Sequence, residues 1–342
     1  MIADLDVVTR EGLGQADYKR LKQLMNERHL LDTRYGPYVI VMTILLAFTG
    51  LALWLTLMTT STWIQLGGGL LLGLISIQLG LLGHDIGHLQ VVREKRLNSV
   101  AGYLFGNLLL GISCNWWVDK HNRHHGHPNE LGKDPDIDIP VLAFTPQQIA
   151  SRPKWLRPII RMQASAILIY FPLQALNARY QSVNYLLRKR PACWQSQVIG
   201  VGLFLAWYCL LLVQLEWWVA LLYAAVHQAM FGLVNSLLFA PNHKGMEILD
   251  QDSKLTFAEK QVRTSRNFTC PPWIDIFCGG LNYQIEHHLF PTMPRWNLKK
   301  ASVLVRTWCE EEGLPYTSTS LLRAYKDAHD HLRTVVEVES AA

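Results

Sequence analysis

Charge is scarce in this chain. Asp, Glu, Lys and Arg make up only 17% of the residues, against about 25% in an ordinary soluble domain. The shortage is local. No charged residue occurs from Tyr35 to Gly83, from Pro191 to Leu215, or from Trp217 to His243. Half of the residues are hydrophobic, which excludes a disordered chain and argues against an ordinary soluble domain. The six cysteines include no Cys-x-x-Cys pair, so neither a zinc ribbon nor a disulfide framework is indicated. A net charge of +5 over 342 residues is too small to imply nucleic-acid binding. The polar opening MIADLDVVTREGLG lacks the basic start and apolar run of a signal peptide. There is no internal repeat and no low-complexity segment.

What is abundant is tryptophan, with 12 residues, and histidine, with 13. Trp favours membrane interfaces. A spanning helix needs about 20 apolar residues, so Tyr35–Gly83 holds two spans that turn near Met58–Trp63. Pro191–Leu215 and Trp217–His243 read as a second hairpin, turning at QLEW. The alternative is a buried helical core. With four spans, all 32 basic residues fall on one side, and the positive-inside rule makes that side the cytoplasm. The expected fold is an all-α integral membrane protein. Four transmembrane helices form two hairpins, and a cytoplasmic helical cap carries both termini.

Two further stretches bear on the span count. Leu97–Val118 is long enough to cross, but histidines flank it on both sides. If these share a site, the segment is re-entrant or interfacial. Met162–Ala178, with Pro172 inside it, reads as an interfacial helix. Beyond Asn297 the pattern is amphipathic helix, broken at Gly313 and Pro315, with Ser320 as an N-cap.

Ten histidines lie between His84 and His288, most of them in three clusters. In LGHDIGH, His84 and His88 are four apart and share a helix face, although such a pair also arises by chance. Asp85 is placed to accept a proton from a ligand histidine. In DKHNRHHGHPN, His121, His124 and His125 project to one side and can reach two adjacent metals. The alternative is an exposed basic cluster. His127, between Gly126 and Pro128, leaves the helix. In GGLNYQIEHHLFP, Gly279 and Gly280 free the backbone before Gln284, His287 and His288. Glu286 is a candidate to orient a ligand histidine. An exposed polar turn is the alternative here.

Two single histidines remain. His243, in APNHKG, ends the fourth span level with the clusters and is a ligand candidate. His227 lies roughly 24 Å away along a helix, too deep for the same centre, and reads as a buried polar residue. Asn235 shares its face. It is a candidate to line a cavity, hold a water at the metal, or pack between helices.

About eight imidazoles with almost no carboxylate suit iron, zinc or copper. One structural zinc needs only four ligands, so this set implies two metals or a surplus. Two nitrogen-ligated irons at a membrane surface suit dioxygen activation and the breaking of an unactivated C–H bond. Charge-free helices beneath would shelter an apolar chain.

HDIGH, HNRHH and QIEHH, in this order around hairpin spans, resemble the three histidine boxes of the membrane fatty-acid desaturase superfamily. The likeness extends through WWVDKHNRHHGHPN, the Gln261–Asn267 segment QVRTSRN and GGLNYQIEHHLFP. It covers roughly residues 35–300. Gln284 at the head of the third box points to the front-end and acyl-CoA desaturase-like branch.

The resemblance implies a desaturase domain over 35–300, flanked by an N-terminal arm (1–34) and a C-terminal helical tail (301–342). It implies a di-iron centre with His84, His88, His121, His124, His125, Gln284, His287 and His288 as ligands, and an additional histidine for which His243 is the choice. It implies dioxygen as co-substrate, an acyl-CoA or acyl-lipid substrate held in a tunnel, and a cis double bond with two waters as products. An HPGG haem motif is missing. Electrons are therefore expected from a separate ferredoxin, or a cytochrome with its reductase, as is common at a bacterial cytoplasmic membrane. A hydroxylase on the same scaffold is the nearest alternative. A non-catalytic membrane metal-binding or transport protein is another, although its polar groups would sit within the spans, whereas these histidines gather at one end.

Overall fold

A computed structural model describes residues 13–341. The first twelve residues of the expected N-terminal arm lie outside the described residues. The chain begins with helix α1 (Leu13–Glu27), then α2 (Tyr35–Leu57) and α3 (Thr62–Gly87). Helix α4 (Lys95–Gly102) runs into a π-helix (Tyr103–Leu110), followed by α5 (Cys114–Gly126). Four cap helices come next: α6 (Pro146–Ser151), α7 (Arg157–Arg161), α8 (Gln163–Tyr170) and α9 (Gln174–Lys189). Helices α10 (Trp194–Leu212) and α11 (Trp217–His243) form the second hairpin. The remainder is α12 (Phe257–Thr264), strand β1 (Asn267–Thr269), α13 (Pro272–Phe277), α14 (Gln284–Leu289), α15 (Arg295–Glu311), strand β2 (Ser318–Ser320) and α16 (Leu321–Ala341).

Among the described residues, helices α2, α3, α10 and α11 are the four long enough and apolar enough to cross a membrane. Their turns fall where the charge-free runs placed them. Helix α2 shows why it needs lipid. It buries only Tyr38, Leu45, Ala52 and Thr56, a single seam set by spacings of seven and four. Its other faces present Val39, Ile40, Phe48 and Trp54 outward, an apolar exposure that water does not tolerate over such an area. The chain is thus an all-α membrane protein with four spans in two hairpins and a helical cap.

The segment between the hairpins bends by 106° between the π-helix and α5. The turn is made at Gly111, whose φ is +67°. A Cβ there would also lie 2.3 Å from the Phe204 ring, so only glycine fits both the conformation and the space. The ring of His84 lies 4.9 Å from that of His121. The segment therefore enters and leaves on one side, and it does not cross. The stretch Met162–Ala178 is two helices rather than one. Pro172 breaks it into α8 and α9 through a 3₁₀ turn, leaving Leu168, Ile169, Leu173 and Leu176 exposed.

The cap is packed from distant segments. Leu21 and Met25 of α1 share a core with Val262, Ile285, Leu289 and Val305. The tail breaks after α15, and Ser320 Oγ accepts from the Arg323 N–H at 3.3 Å, the expected cap. Strands β1 and β2 pair in parallel, an element the sequence did not announce.

Candidate metal centre

Helix α3 ends at the histidines. His84 and His88 project from its last turn, and Asp85 beside them is 2% exposed. The His84 Nδ1 lies 3.3 Å from Asp85 Oδ1, as the sequence suggested. Asp85 is itself held by the Tyr38 hydroxyl at 2.8 Å and by the Arg295 guanidinium. Helix α5 carries His121, His124 and His125, all buried. Its N-terminus is capped by Ser113, whose side chain accepts from the Trp116 N–H.

Helix α14 is entered through Gly279 and Gly280, with φ of +59° and +84°. Every residue of α14 is buried, and each face has its own partner. Ile285 and Leu289, four apart, enter the cap core. Gln284, His287 and His288 face the other histidines.

The imidazoles fall into two groups. His84, His88, His121 and His287 form one; His124, His243 and His288 form the other. Within each group the ligand atoms lie within 4.8 Å of one another. His125 sits between them. Its Nε2 is 3.1 Å from His121 Nε2, and its ring stacks on His288 at 4.1 Å.

In the second group the outer nitrogen of each ring fixes the tautomer. The Nδ1 of His124 lies 3.0 Å from an Asp134 carboxylate oxygen. That of His243 lies 2.9 Å from the Thr264 carbonyl, and that of His288 lies 2.8 Å from Gln261 Oε1. An acceptor can only receive a proton, so each Nδ1 donates, and in the neutral ring that leaves the lone pair on Nε2. Gln284 completes this corner, with its amide nitrogen 3.0 Å from His243 Nε2.

Charge state agrees for four of the rings. Burial holds His121, His125, His287 and His288 well below the ordinary imidazole value, so they are neutral, as ligation requires. For His124, burial also lowers, but Asp134 and Asp136 more than offset it and raise the value. Among the described residues, five of the ring nitrogens, Nε2 of His84, His88, His287 and His288 and Nδ1 of His125, are buried with no hydrogen-bond partner. Each such orphan costs about 1–3 kcal/mol. Orphans converging with neutral rings fit a pair of nitrogen-ligated metal ions, and they fit poorly with a purely structural polar core.

Four residues that the sequence singles out stand apart from the ligand groups. Glu286 does not orient a ligand histidine. It takes Asn267 Nδ2 at 2.7 Å and the Tyr316 hydroxyl at 2.8 Å, because the short helix turns its side chain away from His287. Burial raises its carboxyl to about 7. Asn235 lines the cavity wall, and among the described residues no hydrogen bond joins it to a metal-facing side chain. His127 leaves the helix, with Nδ1 3.0 Å from Glu130. His227 is buried with Ser76 and Tyr208, away from both groups. The residues missed are Asp134, Gln261, Thr264, Asn242 and Arg295. Gln261 and Thr264 lie in a segment that the sequence marks, QVRTSRN, and Asn242 lies in APNHKG beside His243.

Both groups open on a cavity of about 2030 Å³, larger than the 300–1,000 Å³ typical of small-molecule sites. His84, His121, His124, His243 and Gln284 are on its wall. Elsewhere the wall is largely apolar, with Ile112, Phe231, Leu237 and Phe239.

The comparisons with known proteins point the same way. A family model described as fatty acid desaturase matches residues 61–320. The chain is 35% identical over 284 residues to a Delta(6)-fatty-acid desaturase of Caenorhabditis elegans, covering 78% of this chain and 64% of that protein. It is 31% identical over 323 residues to an acyl-lipid (9-3)-desaturase of Borago officinalis, covering 90% and 72%. It is 33% identical over 289 residues to a Delta(8)-fatty-acid desaturase of Helianthus annuus, covering 80% and 63%. The chain thus spans roughly two thirds of the length of these relatives. With a match over most of its length, and with the histidines of all three motifs drawn into one buried centre, the chain belongs to the fatty acid desaturase family.

Proposed function

We propose that this protein inserts a cis double bond into a fatty acyl chain carried on CoA or a lipid, using dioxygen. The observation that carries the reading is the opening of two buried imidazole groups onto one large, mostly apolar cavity. His84, His88, His121 and His287 would hold one iron. His124, His243 and His288, with Gln284, would hold the other, and His125 lies between them. When bound, two such irons would supply the reduction of dioxygen with two electrons and two protons, coupled to loss of two hydrogens from neighbouring methylenes, giving an alkene and two waters.

The side chains of this chain supply position and exclusion. Asp134, Thr264 and Gln261 hold the rings so that their lone pairs face inward. The apolar wall receives the alkyl chain and excludes water. Asp85, braced by Tyr38 and Arg295, keeps His84 in place. No side chain needs to act as a nucleophile.

The histidine face is assigned to the cytoplasmic side on the distribution of Lys and Arg. A separate donor, a ferredoxin or a cytochrome with its reductase, would bring the electrons. That arrangement suits a bacterial cytoplasmic membrane, whereas the relatives named above are from a nematode and two plants. The test is lipid analysis of a host expressing the protein. A new unsaturated acyl species is expected with the native sequence and none with His288→Ala. An unchanged acyl profile with iron-loaded protein and a competent donor would refute the reading.

A further inference from the structure

The corner of the second group contains a feature that the box histidines do not explain. His243 donates its Nδ1–H to the Thr264 carbonyl at 2.9 Å, so its Nε2 is a bare lone pair. Gln284 points its amide N–H at that lone pair from 3.0 Å. An N–H cannot bind a metal ion; only the carbonyl end of a carboxamide can. That end, Gln284 Oε1, is occupied by Asn242 Nδ2 at 3.1 Å. Asn242 is completely buried. Its own Oδ1 has no partner, and its backbone is pinned by the Arg266 N–H donating to its carbonyl at 3.0 Å.

The two ends of a carboxamide have nearly the same shape and opposite hydrogen-bond character. Turning Gln284 alone would set its N–H₂ against the N–H₂ of Asn242. Turning both brings the unpartnered Asn242 Oδ1 round to accept from Gln284. The pair keeps one hydrogen bond in either arrangement. In the second, Gln284 Oε1 faces the corner shared by His124, His243 and His288. We propose that Asn242 is the positioning residue for Gln284: the two carboxamides turn as a pair, so that Gln284 binds metal through its oxygen with Asn242 holding its N–H₂. The proposal rests on the di-iron reading above.

The experiment compares Asn242→Leu, which can neither donate nor accept, with Asn242→Asp, which can only accept and so matches the metal-bound arrangement. Iron per chain, iron affinity by chelator competition and the ligand-field bands of the ferrous protein in magnetic circular dichroism are measured on the purified full chain. Asn242→Leu is expected to weaken one of two irons by about tenfold or more and to shift the bands of that iron alone. Asn242→Asp is expected to keep both irons and bands close to those of the native protein. Asn242→Ser, too short to reach Gln284, repeats the comparison should the leucine variant not fold, with the same loss expected. Native affinity and bands in the leucine or serine variant would overturn the proposal. A native protein that binds no iron would instead overturn the di-iron reading on which it stands.

Discussion

Four of the clustered rings, those of His84, His124, His243 and His288, are oriented by what Nδ1 touches. Asp134, buried at 1% exposure, anchors His124 and also accepts from the Asn129 N–H at 2.7 Å. Removing such a partner lowers metal affinity by about 10–100-fold. Asp134→Ala should show that loss in chelator titration while the protein still inserts. His287→Ala and His288→Ala should abolish activity and lower iron content. Gln284→Ala should reduce activity with less iron lost, since a neutral carbonyl is the weaker ligand. The Asp85–Arg295 pair, with side chains 3% and 7% exposed, gives a stability test. Arg295→Met strands a buried carboxylate, for which about 3–5 kcal/mol of destabilisation is expected, read from the thermal midpoint in detergent. The histidines were legible because four-residue spacing places rings on one helix face. Asp134 was not, because it reaches His124 only through the turn after α5. Glu286 misled for the converse reason: a neighbour in sequence, it points to the other side of α14.

Whole elements were legible where their chemistry is monotonous. The charge-free runs fix α2, α3, α10 and α11 because lipid demands apolar surface on nearly every face. The re-entrant segment followed from a geometric argument, that histidines at both of its ends must meet. Single-cysteine probes in a cysteine-free background test it. Labelling from outside should reach Thr60 and Gln214, in the two outer turns, and should not reach Gly126. Labelling at Gly126 from outside would contradict the four-span arrangement. The bend itself depends on Gly111. Gly111→Val adds strain at φ +67° and a clash with Phe204, and a lower thermal midpoint is expected. The β1–β2 pairing was illegible because three-residue strands carry no usable alternation. Pro172 was visible, yet its effect, two cap helices in place of one, depends on packing.

At the scale of the molecule, the site is assembled from segments some two hundred residues apart in the chain. Helix α3 brings His84 and His88, α5 the second cluster, α11 His243, and α14 the third, with α1, α12 and α15 closing the cap core around α14. No local pattern encodes that convergence. It was legible only through the order of the three motifs, and the cap packing was not legible at all. The proposed separate electron donor leads to a further expectation. Purified protein should show no haem absorbance and no turnover with NAD(P)H alone, and a ferredoxin or cytochrome with its reductase should restore activity. The most direct test of the central claim uses an acyl substrate deuterated along its chain, given to the iron-loaded protein with donor and dioxygen, with the product analysed by mass spectrometry. The account predicts loss of two deuterium atoms from neighbouring carbons and a cis double bond between them. Loss of one deuterium with gain of a hydroxyl group, or recovery of unchanged substrate, would contradict it.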